Sequence, residues 1–178
     1  MKRSSAKEKM HHYIALLRAV NVGGTGKLPM SELKSMCESA GFDSVRTYIA
    51  SGNVVFASSM SATKVKSTLE KLLAEYAGKP VGVLVRTADE MTEVLANNPF
   101  PKEAPNRTVA IFLDKRPPAD TAAKASGQKA EKIVLGAREI YVFYGEGIGD
   151  SKLKLAAAQE GTARNMNTVA KLVAMART

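Results

Sequence analysis

The sequence predicts an α+β protein of two lobes, each repeating one strand–helix–strand–strand–helix order with mainly antiparallel strands. Two observations support this class. Short apolar runs of strand length alternate with segments whose apolar residues recur every three to four positions, as on one face of a helix. The order of these segments also restarts after a proline-rich stretch at residues 99–106.

The first half contains clear start and stop signals for its elements. It predicts strands at 13–20, 45–50, 54–57 and 81–85, with helices at about 30–40 and after Ser61. The two middle strands meet at Ser51-Gly52-Asn53, and Gly-Asn favours a hairpin because both residues tolerate positive φ. Ser61 is a suitable N-cap, and Gly78 ends the second helix.

The second half is less regular. Thr87 and Glu90 have the capping-box spacing for a short helix that Asn97-Asn98-Pro99 ends. Beyond residue 106 the pattern predicts a strand at 108–113, a weak helix at 118–126, a hairpin of 133–135 and 140–144, a helical segment at 152–158 and a helix at 166–176. Asn165 is the expected N-cap of this last helix. No clear closing strand is found for this half.

These signals divide the chain into four parts. Residues 1–12 are predicted to be a flexible basic tail and residues 13–98 the first lobe. Residues 99–106 have the composition of a linker, and residues 107–178 form the second lobe. The repeat is one of pattern, because the two halves share no residue-level identity.

Charge and cysteine content narrow the compartment and the partners. The net charge is +9, yet residues 1–12 contain four Lys/Arg with one Glu, and residues 151–178 contain five Lys/Arg with one Glu. The positive excess therefore lies mostly at the two ends. Cys37 is the single cysteine, which excludes an internal disulfide and favours a reducing, cytoplasmic location. No apolar run reaches the 18 or so residues of a membrane helix.

Two segments could bind an anion. Gly23-Gly24-Thr25-Gly26-Lys27 is not a P-loop, because Asn21 and Leu28 occupy the places of its Gly and Ser/Thr. A glycine-rich turn with a lysine can still present N–H groups to an anion, although a flexible turn alone also explains the glycines. Residues 162–168 open the last helix, where Asn165 is explained by capping but Arg164 is not. The glycine-rich residues 145–152 are predicted to be a mobile loop.

The sequence contains few of the residue combinations that are typical of catalytic sites. Cys37 lies on the apolar face of its helix and is predicted to be a buried structural thiol. Zinc-ligand spacings are absent from the sequence, and no nucleophile with its base is evident, so no metal or cofactor is predicted. Tyr141 and Phe143 share one face of a strand, and RNA-recognition motifs stack bases on aromatic side chains placed in this way. The sequence signature of that motif is missing, however, so both side chains are predicted to pack in the core.

Several separated motifs, in order, resemble the bacterial domain-of-unknown-function family 1697. They are Leu17-Arg18, Asn21-Val22-Gly23-Gly24, Lys27, Pro29-Met30, Leu33, Gly41-Phe42, Thr47-Tyr48, Ser51-Gly52-Asn53-Val54-Val55-Phe56, Ser151-Lys152-Leu153 and residues 162–172. The resemblance implies two ferredoxin-like (βαββαβ-type) lobes with helices packed on one face of each sheet. Ala19-Val20 replaces the usual Gly-Ile, and Met166 replaces a common Trp. The resemblance to this family implies no activity, substrate or cofactor.

The polar residues of these motifs stand at turns and strand ends, and are the candidate ligand-binding or anion-binding residues. They are Arg18, Asn21, Gly23, Gly24, Lys27, Ser51, Asn53, Lys152, Arg164, Asn165 and Asn167. The first hypothesis is binding of a phosphate-bearing small molecule or nucleotide between the lobes. The alternatives are non-specific nucleic-acid binding through the basic ends, and a metal-independent enzyme acting on a phosphorylated substrate. Whether the protein is an enzyme, and its oligomeric state, stay open; no membrane partner is expected.

Overall fold

The computed structural model describes residues 8–19, 27–145 and 148–177. Its helices and strands follow in the order β1 (His11–Leu17), α1 (Met30–Ser39), β2 (Asp43–Tyr48), β3 (Asn53–Ser58), α2 (Ala62–Ala77), β4 (Val83–Thr87), α3 (Ala88–Ala96), β5 (Thr108–Phe112), β6 (Lys132–Leu135), β7 (Glu139–Phe143), β8 (Thr162–Asn165) and α4 (Met166–Ala176), with a 3₁₀ helix at Ala156–Glu160 before β8. None of the helices in these ranges is both long and apolar enough to cross a membrane.

Each lobe contains one antiparallel four-stranded sheet, and the two sheets share one strand order. The first runs β2-β3-β1-β4 and the second β6-β7-β5-β8. In both, the first strand of the lobe lies at the centre, between the third and the fourth. The predicted α+β class is therefore confirmed, and the part of the repeat that the two lobes share is the order of their strands.

The second lobe does close with a strand, so the expectation of no closing strand was wrong. β8 pairs antiparallel with β5, with Ala163 opposite Ile111. Its sequence, Thr-Ala-Arg-Asn, lacks the run of β-branched residues that marks a strand on propensity alone. This segment is a strand because it pairs with the central strand β5, which is a tertiary effect.

Residues 119–124 are turns, and the weak helix predicted at 118–126 is absent. Thr121 N donates to Pro118 O and Lys124 N to Asp120 O, which is about one helical turn. A single turn does not repay the cost of helix nucleation without a partner surface, and Gly127, at φ 70°, ends the segment. Residues 156–160 form only the short 3₁₀ helix.

β1 begins at His11, two residues inside the predicted basic tail, with His11 opposite Ser58 of β3. It ends at Leu17 rather than at residue 20. The predicted caps are confirmed: Ser61 accepts from Lys64 N, and Thr87 and Glu90 form the complete capping box. Asn165 caps α4 by accepting from Thr168 N.

Three apolar clusters stack along the molecule. The outer face of the first sheet packs on α1 and α2 through residues such as Leu33, Phe56 and Leu69. The inner faces of both sheets enclose α3 and α4, with Leu16, Phe112 and Leu172 in one cluster. A third cluster covers the outer face of the second sheet. The helices inside the first βαββαβ unit thus lie on one face, as expected, while the helix after each closing strand lies on the other.

Candidate functional site

A cavity of about 480 Å³ opens beside the ends of β1 and α2. The described residues that line it are Arg18, Ala19, Lys27, Leu28, Leu73, Tyr76, Ala77, Lys79, Pro80, Val81 and Gly82. Two of the predicted site residues, Arg18 and Lys27, are therefore brought to one cavity. The space between the two sheets, where the sequence places the ligand, is filled by apolar side chains of the middle cluster.

Three cationic side chains border this cavity. Arg18 follows β1 directly and reaches the second lobe, where its Nε donates to Gly161 O at 3.1 Å and its Nη2 donates to Gln159 O. Within the described ranges, Lys27 and Lys79 are exposed and have neither an ion pair nor a hydrogen bond from their side chains. The described lining contains no Asp or Glu. Among its described residues, the cavity thus concentrates positive charge without an acidic counterion.

Apart from the Tyr76 hydroxyl, the other described side chains of the lining are apolar. Leu28 and Leu73 belong to the core of the first lobe and form one wall. Tyr76 stands near the end of α2 with 47% of its surface exposed. Gly82 faces the aliphatic part of Arg18, since a Cβ there would lie 2.8 Å from Arg18 Cδ. The absence of a side chain at position 82 lets Arg18 run along the cavity wall.

Arg164 lies outside the cavity and is used to join the lobes. It is 7% exposed, it belongs to β8, and its Nε donates to Asn53 Oδ1 at 2.6 Å. Its Nη2 donates to the carbonyl oxygens of Leu17, Ser51 and Gly52 at 3.0 to 3.3 Å. Its Nη1 donates to Thr162 Oγ1 and to Ala163 O. Every N–H of this guanidinium therefore has an acceptor in the protein.

The environment of Arg164 lowers its pKa. Burial lowers the pKa to about 10, because removing the cation from water disfavours its charged form. Within the described part of the chain, no carboxylate pairs with it. Neutral acceptors alone thus compensate for its burial. Helix capping does not explain an arginine at position 164, whereas this bridge between the lobes does.

Arg86 makes the matching connection in the opposite direction. It is 1% exposed in β4, and its Nε lies 3.3 Å from Glu139 Oε1 in the second lobe. Its Nη2 donates to Leu113 O at 2.7 Å and to Arg138 O at 3.1 Å. Burial, with the nearby Arg138 cation, lowers the pKa of Arg86, while the Glu139 carboxylate opposes that shift.

The predicted residues fall into separate groups. Arg18, Ser51, Asn53 and Arg164 converge around the end of β1. Asn165 serves as the α4 N-cap, whereas Asn167 and Lys152 are exposed. The backbone of Lys152 lies against Gly127 in the second lobe, where Ser126 bridges to Lys154. The remaining candidates lie outside the described residues: Asn21, Gly23 and Gly24.

Sequence reasoning missed Arg86, Glu139, Tyr76 and Lys79. One signal could have revealed the first of these. In each half, an arginine directly precedes a helix N-cap, as Arg86-Thr87 and Arg164-Asn165. No comparable local pattern marks the cavity residues, because residues 18, 19, 27 and 28 meet residues 73–82 only in the folded chain.

Cys37 is fully buried, which confirms the structural thiol. Burial, with a smaller contribution from the neighbouring Glu38 carboxylate, raises its pKa to about 12. Across 8–19, 27–145 and 148–177, no group of three or more His, Cys, Asp or Glu side chains is placed to hold a metal ion. Tyr141 packs in the middle cluster and donates to Val94 O at 2.8 Å, as core packing predicts.

Comparison with known proteins places the chain in a family. No curated protein matches it. Among solved structures, the conserved bacterial protein SP0830 from Streptococcus pneumoniae is 26% identical, with a TM-score of 0.79 over 94% of this chain and 99% of that one. A family model described as "Protein of unknown function (DUF1697)" matches residues 10–141, well over half of the sequence. The chain belongs to the DUF1697 family.

Proposed function

We propose that the protein binds a phosphate-bearing small molecule or nucleotide in the cavity bordered by Arg18, Lys27 and Lys79. The observation that supports this most strongly is the meeting of three cations at one cavity whose described lining has no acidic side chain. Unneutralised cations around a concave site raise the local concentration of anions.

The local field favours an anion in spite of the neighbouring helix end. Tyr76 and Ala77 are the last residues of α2, and a helix C-terminus carries roughly half a negative charge. Three unit positive charges outweigh it several-fold. Lys79 also complements that helix end, so Arg18 and Lys27 are the more informative pair for a ligand.

Arg18 is held in place before any ligand binds. Two of its nitrogens donate to the second-lobe carbonyls of Gln159 and Gly161, while its Nη1 has no partner within the described residues. A guanidinium that is already oriented loses less conformational entropy on binding than a free one. The same contacts tie the anion site of the first lobe to the second lobe.

The test is calorimetric titration of the purified protein with inorganic pyrophosphate and with nucleotides at fixed ionic strength. Lys27→Glu should weaken pyrophosphate binding by about tenfold or more, corresponding to ~1.4 kcal/mol. Lys102→Glu is the matched control, since Lys102 is exposed, does not line the cavity, and gives the same change of net charge.

Two results would contradict the proposal. One is the absence of any heat or thermal shift with phosphates and nucleotides at millimolar concentration. The other is an equal loss of affinity in both variants, which would mean that net charge rather than the cavity attracts the anion.

A further inference from the structure

We infer that the ligand of this cavity combines its anionic group with an apolar aromatic or acyl body, so that a hydroxyl-rich sugar phosphate is a poor ligand. This inference rests on the proposed anion site and narrows the class of molecule it takes. A nucleotide can satisfy it through the flat face of its base.

The hydrogen-bonding capacity of the lining is the first reason. Apart from the three cations, the Tyr76 hydroxyl is the single polar side-chain group among the described lining residues. A sugar brings several hydroxyls, and each one that loses water without gaining a partner weakens binding. The described side chains of the lining thus offer few partners to a polyhydroxylated body.

Size is the second reason. About 480 Å³ lies in the usual range for sites of drug-sized molecules and greatly exceeds one phosphate group. Leu28, Leu73 and Val81 present carbon surface to that volume. Covering apolar surface with an apolar ligand body contributes roughly 25 cal/mol per Å² removed from water.

Tyr76 supplies the third reason. Among the described residues, five large hydrophobic side chains are exposed, and only Tyr76 of these lines the cavity. Its ring has no aromatic or cationic ring contact within the described ranges. An unpartnered ring at the rim of an apolar site is suited to stack on a planar ligand.

The experiment compares naphthyl phosphate, glucose-6-phosphate and inorganic phosphate, which share one anionic group, by calorimetry at one pH and ionic strength. Naphthyl phosphate should bind at least tenfold more tightly than glucose-6-phosphate. Tyr76→Ala should lower the affinity for naphthyl phosphate about fivefold and leave the affinity for inorganic phosphate unchanged. Tyr76→Phe should retain the affinity for naphthyl phosphate. Val134→Ala, which shortens an exposed apolar side chain outside the cavity, is the control.

Different results would overturn the anion site and the apolar ligand class. If none of the three compounds binds, the proposed anion site itself is overturned. If glucose-6-phosphate binds as tightly as naphthyl phosphate, or if Tyr76→Ala leaves the difference intact, the anion site stands and the apolar ligand class is overturned. Equal binding of naphthol, which lacks the phosphate, would show that the cations are not used and would contradict both.

Discussion

Arg86 and Arg164 occupy equivalent positions in the two lobes, and each donates hydrogen bonds into the other lobe. Each is the next-to-last residue of a closing strand and directly precedes a helix N-cap. Arg86 Nε points to Glu139, the first residue of β7, and Arg164 Nε points to Asn53, the first residue of β3. Asn53 lies opposite Leu16 just as Glu139 lies opposite Phe112, so the partners are equivalent as well.

The carbonyl acceptors repeat the same symmetry. Leu17 N donates to Gly52 O in the first lobe, and Leu113 N donates to Arg138 O in the second. Arg164 donates to the carbonyls of the first pair and Arg86 to those of the second. One difference remains, because Glu139 is a counterion whereas Asn53 is neutral. The two reciprocal bridges thus join the lobes with different electrostatics.

Arg164→Ala should lower the free energy of unfolding by about 3–5 kcal/mol. It removes a donor from Asn53 Oδ1 and from the carbonyls of Leu17 and Ser51 at the lobe junction, whereas Gly52 O keeps its bond from Leu17 N; unsatisfied buried acceptors cost about 1–3 kcal/mol each before relaxation. Urea denaturation followed by circular dichroism measures the change.

Arg177→Ala is the control for this change. Arg177 is exposed and makes one surface contact with Thr92, so its loss should stay within about 0.5 kcal/mol. A similar small loss for both variants would refute the bridging role of Arg164.

Glu139→Gln should cost on the order of 3 kcal/mol, because the Arg86 cation would stay buried without its countercharge. The effect should be insensitive to added salt, since this pair is shielded from solvent. Denaturant titrations in low and high salt measure both properties. Glu93→Gln, at an exposed position of α3, should change stability by less than about 0.5 kcal/mol; equal effects at the two positions would contradict the role of the buried pair.

The stability should fall at alkaline pH partly through Cys37. In the unfolded chain the thiol ionises near pH 9, whereas burial keeps it protonated to about 12 in the folded state. Above pH 9 the unfolded state therefore binds fewer protons, and the free energy of unfolding decreases as pH rises. The advantage of wild type over Cys37→Ala should shrink by about 1.5 kcal/mol from pH 8 to pH 10.

Other alkaline groups are common to both proteins, so their contributions cancel in this comparison. Denaturant titrations at several pH values provide the two stability curves. Parallel curves would show that the Cys37 thiol ionises equally in both states.

Gly161→Ala should destabilise the protein by about 1–3 kcal/mol. A Cβ at position 161 would lie 2.5 Å from Phe112 O and 2.7 Å from Leu113 Cδ2, so the backbone must shift. Gly149→Ala is the matched control, because a Cβ there meets nothing within 4 Å. Thermal unfolding of both variants measures the difference, and an unchanged midpoint for Gly161→Ala would show that this close approach is not needed.

Local signals were sufficient for much of the fold. The capping box at Thr87 and Glu90 and the N-caps Ser61 and Asn165 depend on residues close in sequence, and the structure contains each one. The hairpin between β2 and β3 is also present, but its turn occupies residues 49–52: Gly52 has a positive φ, whereas Asn53 is already the first residue of β3. The buried thiol of Cys37 followed from helical periodicity. These features can be predicted from the sequence because the interactions that stabilise them involve residues only a few positions apart.

The α+β class and strands β1 to β7 were thus determined by the sequence alone, through periodicity and turn chemistry, whereas the two α-helices expected between the strands of the second lobe are absent from the structure. The tertiary structure decided the rest. β8 exists because β5 offers it a partner, and Arg164 is a bridge because the carbonyls it needs lie in the other lobe. The cavity depends on residues 18, 19, 27 and 28 meeting residues 73–82. Such contacts join residues far apart in the chain, and no local propensity encodes them.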